Sequence, residues 1–354
     1  MYEILRQFQL KGTPIFCQRF GEGHINETYI TTCDTGLSYI LQKINTNTFR
    51  DPVGLMENIS AVTSFLAKTS EDPRGAMRII DTKDGKPFYV DALNQYWRVY
   101  DFVPSSICLQ KAESTQEFYN TGLAFGRFQK LLSDFPAETL HESIPKFHDT
   151  RDRFRQLHEA MEKNLSGRID TCRPELEFAL AREKEAGVIV EALESGAMPW
   201  RVTHNDTKLN NILLDYDTHE PLCVIDLDTV MPGSALYDFG DSIRFGAATA
   251  AEDEQDLSKV SMSLELFEVY TKGFLAGCGG SLTELELEML PMGAKMMTLE
   301  CGIRFLADHL NGDVYFRIHR DSHNLDRART QFKLVADMEA KMDQMAEIVR
   351  KCSK

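Results

Sequence analysis

Val202-Thr203-His204-Asn205-Asp206-Thr207-Lys208-Leu209-Asn210-Asn211-Ile212-Leu213-Leu214 is followed, after a polar segment, by Leu222-Cys223-Val224-Ile225-Asp226-Leu227-Asp228. The apolar runs Ile212 to Leu214 and Leu222 to Ile225 flank Asp215 to Pro221, which is rich in turn formers, and this pattern predicts an antiparallel hairpin. Asn211 stands just before the first strand and Asp226 just after the second, so a hairpin brings them side by side at one end. An amide oxygen and a carboxylate placed there suit a hard cation such as Mg²⁺. Asp206 precedes Asn211 by five residues, in the loop that enters this end. A carboxylate in that loop is a candidate to accept the proton of an attacking hydroxyl, and Lys208 is a candidate to offset charge on a transferred phosphoryl group. Asp and Asn near turns usually only shape the backbone. A turn does not require all three of Asp206, Asn211 and Asp226 at these intervals, whereas kinase-like phosphoryl transfer does.

Outward from the hairpin, the first hundred residues read as strand-rich. Tyr29 to Thr32 and Tyr39 to Ile44 form a second hairpin around Cys33-Asp34-Thr35-Gly36. Asp51-Pro52 opens a helix with Leu55, Ile59, Val62 and Leu66 on one face. Phe88 to Leu93 and Tyr96 to Val103 are further extended runs, ending at Pro104. Beyond Pro104 the pattern turns to long amphipathic helices. Phe118 to Leu132 is one. Ser281 and Glu284 have the spacing of a capping box, and a separate helix is expected after Pro291, running towards Asn311-Gly312. Its stripe of Met292, Met296, Leu299, Ile303, Leu306 and Leu310 reads as core. A last helix is expected over about Asp326 to Lys351. The expectation is an α+β, bilobal, protein-kinase-like fold. Residues 1–103 would form a small β-rich nucleotide-binding lobe, and residues 104–354 a larger helical lobe for catalysis and sugar binding.

The 354 residues carry a formal net charge of −15, which argues against nucleic acid or an anionic membrane as partner. The eight cysteines are scattered, with no C-x-x-C pair, and read as reduced thiols. Glu3, Arg6 and Lys11 interrupt any signal-peptide core, and the apolar window Met289 to Ala307 contains Lys295, Glu300 and Arg304. A cytoplasmic protein is expected; oligomeric state is not legible.

These residues resemble a known family. His204-Asn205-Asp206 through Leu213, with Ile225-Asp226, is similar to the motif of the aminoglycoside phosphotransferase-like kinases, which include choline and homoserine kinases. Further blocks are Gly21-Glu22-Gly23-His24-Ile25-Asn26-Glu27-Thr28-Tyr29, Tyr39 to Phe49, Trp97-Arg98-Val99-Tyr100, Ile225 to Ala247 and Cys301 to Phe316. They most resemble the N-acetylhexosamine 1-kinases, and over nearly the whole chain. The resemblance implies ATP- and Mg²⁺-dependent phosphorylation of N-acetylglucosamine or N-acetylgalactosamine at the anomeric hydroxyl. It implies Asp206 as base and Asn211 and Asp226 as metal ligands. Gly21 to Tyr29, including Gly23 and Thr28, would cover the ATP phosphates. Tyr100 to Val103, including Phe102, would be the hinge beside adenine. Asp238, in Tyr237-Asp238-Phe239-Gly240-Asp241, would brace the catalytic loop.

The chain departs from the wider kinase pattern at Gln42, where protein kinases place a phosphate-pairing lysine. Either Gln42 faces the nucleotide, or a register shift turns Lys43 inward; Glu57 is a possible acid partner. On the acceptor side, Asp228 would share the face of Asp226 if the strand stays extended. It would then bind a sugar hydroxyl or serve the metal; the structural alternative is that it caps the Met231-Pro232-Gly233 turn. Arg304 has Glu300 and Asp308 four residues to either side, so an exposed ion-pair ladder competes with a sugar-binding role, which the resemblance supports together with Tyr315. His24 either faces the sugar or caps its loop. Two other readings stand beside hexosamine phosphorylation. One is a kinase of the same fold for an aminoglycoside, choline or homoserine. The other is a nucleotide-binding module without catalysis, which has no use for Asp206.

Overall fold

The computed structural model describes residues 1–21, 25–70, 72–110 and 112–354, which group into two compact units. The first comprises Met1–Leu109, Leu131–Pro145 and Asn211–Pro232; the second comprises Gln110–Lys130, Lys146–Asn210 and Gly233–Lys354.

Six strands build the main sheet of the first unit: β1 (Pro14–Arg19), β2 (Glu27–Cys33), β3 (Ser38–Lys43), β4 (Ile79–Ile80), β5 (Tyr89–Val90) and β6 (Tyr96–Asp101). Their order is β1-β2-β3-β6-β4, with β5 also on β6, and every pairing is antiparallel. Alternation decides which residues go inward. Tyr39 and Leu41 of β3 and Trp97 and Val99 of β6 join Leu5, Phe8, Cys33 and Ile80 in a core on one face. Helix α1 (Pro52–Thr69) begins as its sequence predicts. Asp51 accepts the Gly54 N–H at 3.0 Å and Pro52 takes the first turn, where a missing N–H costs nothing.

A second sheet explains why the chain does not divide at one point. Strand β7 (Ser106–Ile107) pairs with β8 (Ile212–Asp215), which pairs in turn with β9 (Pro221–Val224). The predicted hairpin is therefore present. Its pairing with β7 carries the first unit past residue 103 to Leu109 and draws in residues 211–232.

The second unit is helical: α2 (Thr115–Leu131), α3 (Thr150–Lys163), α4 (Ala235–Gly246), α5 (Leu264–Cys278), α6 (Glu284–Asn311) and α7 (His323–Cys352), with shorter pieces between. Helix α6 is central and packs against α3, α4 and α7. It does not start after Pro291. Its cap is Thr283, two residues beyond Ser281, and Thr283 and Glu286 form the capping box. Arg201 reinforces it, its Nε 2.5 Å and Nη2 2.8 Å from the two Glu286 carboxylate oxygens, and this clamp holds the turns ahead of Pro291 helical. Helix α7 likewise starts at His323, ahead of the expected Asp326.

Helices α2 and α5 touch backbone to backbone. A Cβ at Gly122, Gly126, Gly273 or Gly277 would run into the carbonyl oxygen of Tyr270, Phe274, Tyr119 or Leu123, respectively. Among the described residues no helix is long and apolar enough to cross a membrane.

Candidate active site

In the second unit the loop from Thr203 to Asn210 is held from α4. Burial favours a carboxyl that is either neutral or fully hydrogen-bonded, and Asp238, with no exposed surface, is hydrogen-bonded on both oxygens. Oδ2 accepts the His204 N–H at 3.0 Å and Gln129 Nε2 at 2.8 Å, and Oδ1 accepts the Asn205 N–H at 2.8 Å. Burial raises its pKa above the ordinary value, while the His204 ring and these donors pull the other way. The expected brace is present. Asp241 accepts the Thr207 N–H at 3.2 Å, and Ser242 donates to the Thr207 carbonyl at 2.8 Å. Burial would raise the Asp241 pKa, but Arg244 and Lys208 more than offset it and hold the group ionised. His204 is buried between Phe125 and Phe128, and Asn205 takes a left-handed φ of 65°.

Asp206 follows that residue. Lys208 Nζ lies 2.7 Å from its Oδ1 in a half-exposed pair. Burial alone would lower the Lys208 pKa; Asp206 and Asp241 outweigh it and the pKa rises, so the lysine is a cation at neutral pH.

In the first unit the hairpin joins the two metal candidates. Val224 stands opposite Ile212, and the Ile225 N–H donates to the Asn211 carbonyl at 2.9 Å. Asn211 is buried, while Asp226 is exposed and left-handed, with φ 58°. One amide and one carboxylate fit the chemistry of Mg²⁺, which takes one or two carboxylates and completes its shell from phosphates and water. Among the described residues no group of three His, Cys, Asp or Glu side chains gathers to hold a metal alone.

The left-handed turn at Asp226 ends the extended strand, so Asp228 does not share its face. The chain enters a 3₁₀ turn, Leu227–Thr229, and Asp228 is buried. Arg98 Nη1 lies 2.6 Å from Asp228 Oδ1, and both side chains of this ion pair are buried. Asn26 Nδ2 donates to Oδ2 at 2.5 Å.

The register of β3 is regular, which removes the alternative that turns Lys43 inward. Thr28, Gln42 and Arg98 stand opposite one another on β2, β3 and β6. Lys43 pairs instead with Glu27 beside Trp97, and Glu57 meets His141 at 2.7 Å. At the expected hinge, the Asp101 N–H is committed to the Arg78 carbonyl and the Phe102 N–H to the Ser38 carbonyl. Tyr100 is buried beneath Arg98, and Phe102 meets Phe20 edge to face at 6.4 Å. Gly21 has φ +75°, and a Cβ there would meet no atom of the described residues within 4 Å; Gly23 and His24 lie outside the described residues.

The ion-pair ladder around Arg304 is not formed. Glu300 is 2.9 Å from His148 Nδ1 and 3.0 Å from Thr150 Oγ1. Asp308 accepts the N–H groups of Val314, Tyr315 and Phe316. The Arg304 guanidinium instead lies among the rings of Phe147, Tyr315 and Phe316, at 5.5, 5.9 and 5.5 Å from their centroids. Phe147 is also in contact with the His148 ring, whose Nε2 is 3.4 Å from the Asn205 carbonyl. Arg304 thus stands one aromatic residue and one histidine away from the loop of Asp206.

Sequence reasoning missed Arg98, Asn26, His148 and Gln129. Arg98 alone left a signal, as a charge inside the apolar run Trp97-Arg98-Val99.

The profile of the Phosphotransferase enzyme family matches residues 17–264, and the chain belongs to that family. Solved structures agree on the fold. A microcompartment-associated aminopropanol kinase superimposes with TM-score 0.60 at 15% identity, over 98% of this chain and 97% of its own. An aminoglycoside phosphotransferase from Alicyclobacillus acidocaldarius gives 0.61 at 13%, over 99% and 96%. An amicoumacin kinase in complex with AMP-PNP, Ca²⁺ and Ami gives 0.56 at 14%, over 93% and 90%. The fold is that of a kinase-like phosphotransferase, with an antiparallel sheet in one lobe and helices in the other.

Proposed function

We propose that the protein transfers the γ-phosphoryl group of Mg·ATP to the anomeric hydroxyl of an N-acetylhexosamine, as an N-acetylhexosamine 1-kinase. The observation that carries this reading is the setting of Arg304. A guanidinium among three aromatic rings, linked through Phe147 and His148 to the loop of Asp206, opposes a cationic acceptor. It suits a neutral sugar, whose hydroxyls accept hydrogen bonds and whose apolar face packs on aromatic side chains. The net charge of −15 favours the second reading, a cationic amino alcohol or aminoglycoside. A local cation acts at shorter range than that overall balance.

In this reading Asp206 accepts the proton of the attacking hydroxyl. Its pair with Lys208 orients the carboxylate, and Lys208 turns to the transferred group as negative charge develops there. Asn211 and Asp226 hold Mg²⁺, which when bound neutralises charge on the β- and γ-phosphates. AMP-PNP and Ca²⁺ in the amicoumacin kinase support a nucleotide and a divalent cation here. Gly21, with its left-handed backbone, opens the loop proposed to cover the phosphates, and Phe102 with Phe20 offers an apolar wall for the base. Arg304 and Tyr315 orient the sugar. Eight free thiols support a cytoplasmic setting.

The anomeric hydroxyl is more acidic than an ordinary alcohol, which matches a carboxylate base. Phosphorus NMR of a reaction with N-acetylglucosamine should show a phosphate coupled to the anomeric proton. The methyl glycoside, which lacks that hydroxyl, should not react. Coupling to the protons on carbon 6, or turnover only with amino alcohols, would overturn the assignment.

A further inference from the structure

Thr28, Gln42 and Arg98 form one row across three neighbouring strands. Gln42 Nε2 donates to Thr28 Oγ1 at 3.0 Å, and Gln42 Oε1 accepts Arg98 Nε at 2.9 Å. This amide aims a guanidinium that is only 1% exposed. A buried cation is costly unless it is paired, and the partner here is Asp228, in the turn that directly follows Asp226.

That turn is tied at several points. Asn26 holds the second carboxylate oxygen of Asp228, Ser143 Oγ donates to its carbonyl at 3.1 Å, and Asn58 of α1 donates to the Val230 carbonyl at 3.1 Å. Asp226 needs such ties. A left-handed backbone at a residue other than glycine is disfavoured and persists where its surroundings over-determine it. Asn26 also accepts the Asn45 N–H, so the same contacts reach the end of β3.

We propose that Arg98 is a positioning residue for the metal ligand: acting through Asp228, it fixes the turn that aims the Asp226 carboxylate. Gln42, at the place where protein kinases carry a lysine, orients this arginine. The inference rests on the reading of Asp226 as a Mg²⁺ ligand. It adds a buried guanidinium, contributed by the main sheet, that controls metal affinity without touching metal or nucleotide.

The test measures Mn²⁺ binding by electron paramagnetic resonance with ADP present, beside metal-free ADP binding and thermal melting. Arg98→Met alone would strand the Asp228 charge, so it is paired with Asp228→Asn, which removes both charges together. Arg98→Lys keeps a cation and serves as the conservative variant. The double variant is expected to lose about 10–100-fold in Mn²⁺ affinity, with Arg98→Lys in between and metal-free ADP affinity within about threefold of the parent. A lower melting temperature with parental Mn²⁺ affinity in either folded variant would reduce Arg98 to a structural role and overturn the proposal. Asp226→Ala separates the two layers. If it abolishes Mn²⁺ binding while the Arg98 variants do not, only the positioning role fails. If it leaves Mn²⁺ binding intact, the metal-ligand reading fails and the proposal with it.

Discussion

Lys208 Nζ lies 2.7 Å from Asp206 Oδ1, and both side chains are partly open to solvent. The carboxylate is thereby held in one orientation before any acceptor arrives. Asp206→Asn keeps the shape and removes the basicity. Turnover is expected to fall by about 10²–10⁴-fold, with nucleotide binding retained in a calorimetric titration. Lys208→Met combined with Asp206→Asn should cost less than the product of the two single losses, because the two groups act as a unit. Turnover near that of the parent in Asp206→Asn would place the base elsewhere.

Asn211 and Asp226 are joined by the backbone bond from Ile225 N–H to the Asn211 carbonyl, yet they differ in exposure. Asp226→Ala removes the only full charge of the two and should abolish turnover. Asn211→Ala leaves the carboxylate and should raise the Mg²⁺ concentration at half-maximal rate. Magnesium titrations of the purified variants check both, and an unchanged requirement in Asn211→Ala would remove it from the metal site.

Arg304 has aromatic neighbours where its sequence position suggested carboxylates. Arg304→Ala is expected to raise the sugar concentration for half-saturation by more than about tenfold, the range for hydrogen bonds from a charged donor, with ATP saturation unchanged. Initial rates with each substrate varied in turn make the comparison. Equal effects on both substrates would argue for a disordered variant.

Glu286 has no exposed surface, closes the capping box with Thr283, and takes both contacts from Arg201. Glu286→Ala leaves the buried Arg201 guanidinium without its carboxylate, with only the Ser281 carbonyl still accepting from it, and stability should fall by about 3–5 kcal/mol in urea unfolding. Thr283→Ala removes only the cap and should cost about 0.5–2 kcal/mol. Similar losses in the two variants would show that the Arg201 clamp contributes little.

The Glu286 case also marks the limit of sequence reading. Ser281-x-x-Glu284 and Thr283-x-x-Glu286 both fit the capping pattern, and Arg201, far off in the chain, decides between them. The hairpin of Asn211 and Asp226 was legible because its signals are local: two apolar runs, a turn between them, and oxygen donors at matched ends. The fate of Asp228 was not. Its extended reading failed on a left-handed φ at Asp226, and its partners Asn26 and Arg98 lie in other strands and loops. Gln42 was legible as a departure from kinases, but what occupies it was not, because cross-strand neighbours follow from register and not from spacing. His148 gave no sign of reaching the Asn205 carbonyl.

The glycine contact between α2 and α5 bears on how this protein can change over evolutionary time. At Gly122, Gly126, Gly273 and Gly277 the obstacle is a main-chain oxygen on the facing helix. No second substitution across the contact can make room, so the usual route of compensation in a packed core is closed. Helix α2 also carries Gln129, which donates to Asp238 and to the Val202 carbonyl. Widening the contact would therefore loosen the loop of Asp206 from behind. In a library selected for activity, these four positions should be as invariant as Asp206. A variability map of this enzyme would then show two sets of fixed positions, one doing chemistry and the other keeping a distance.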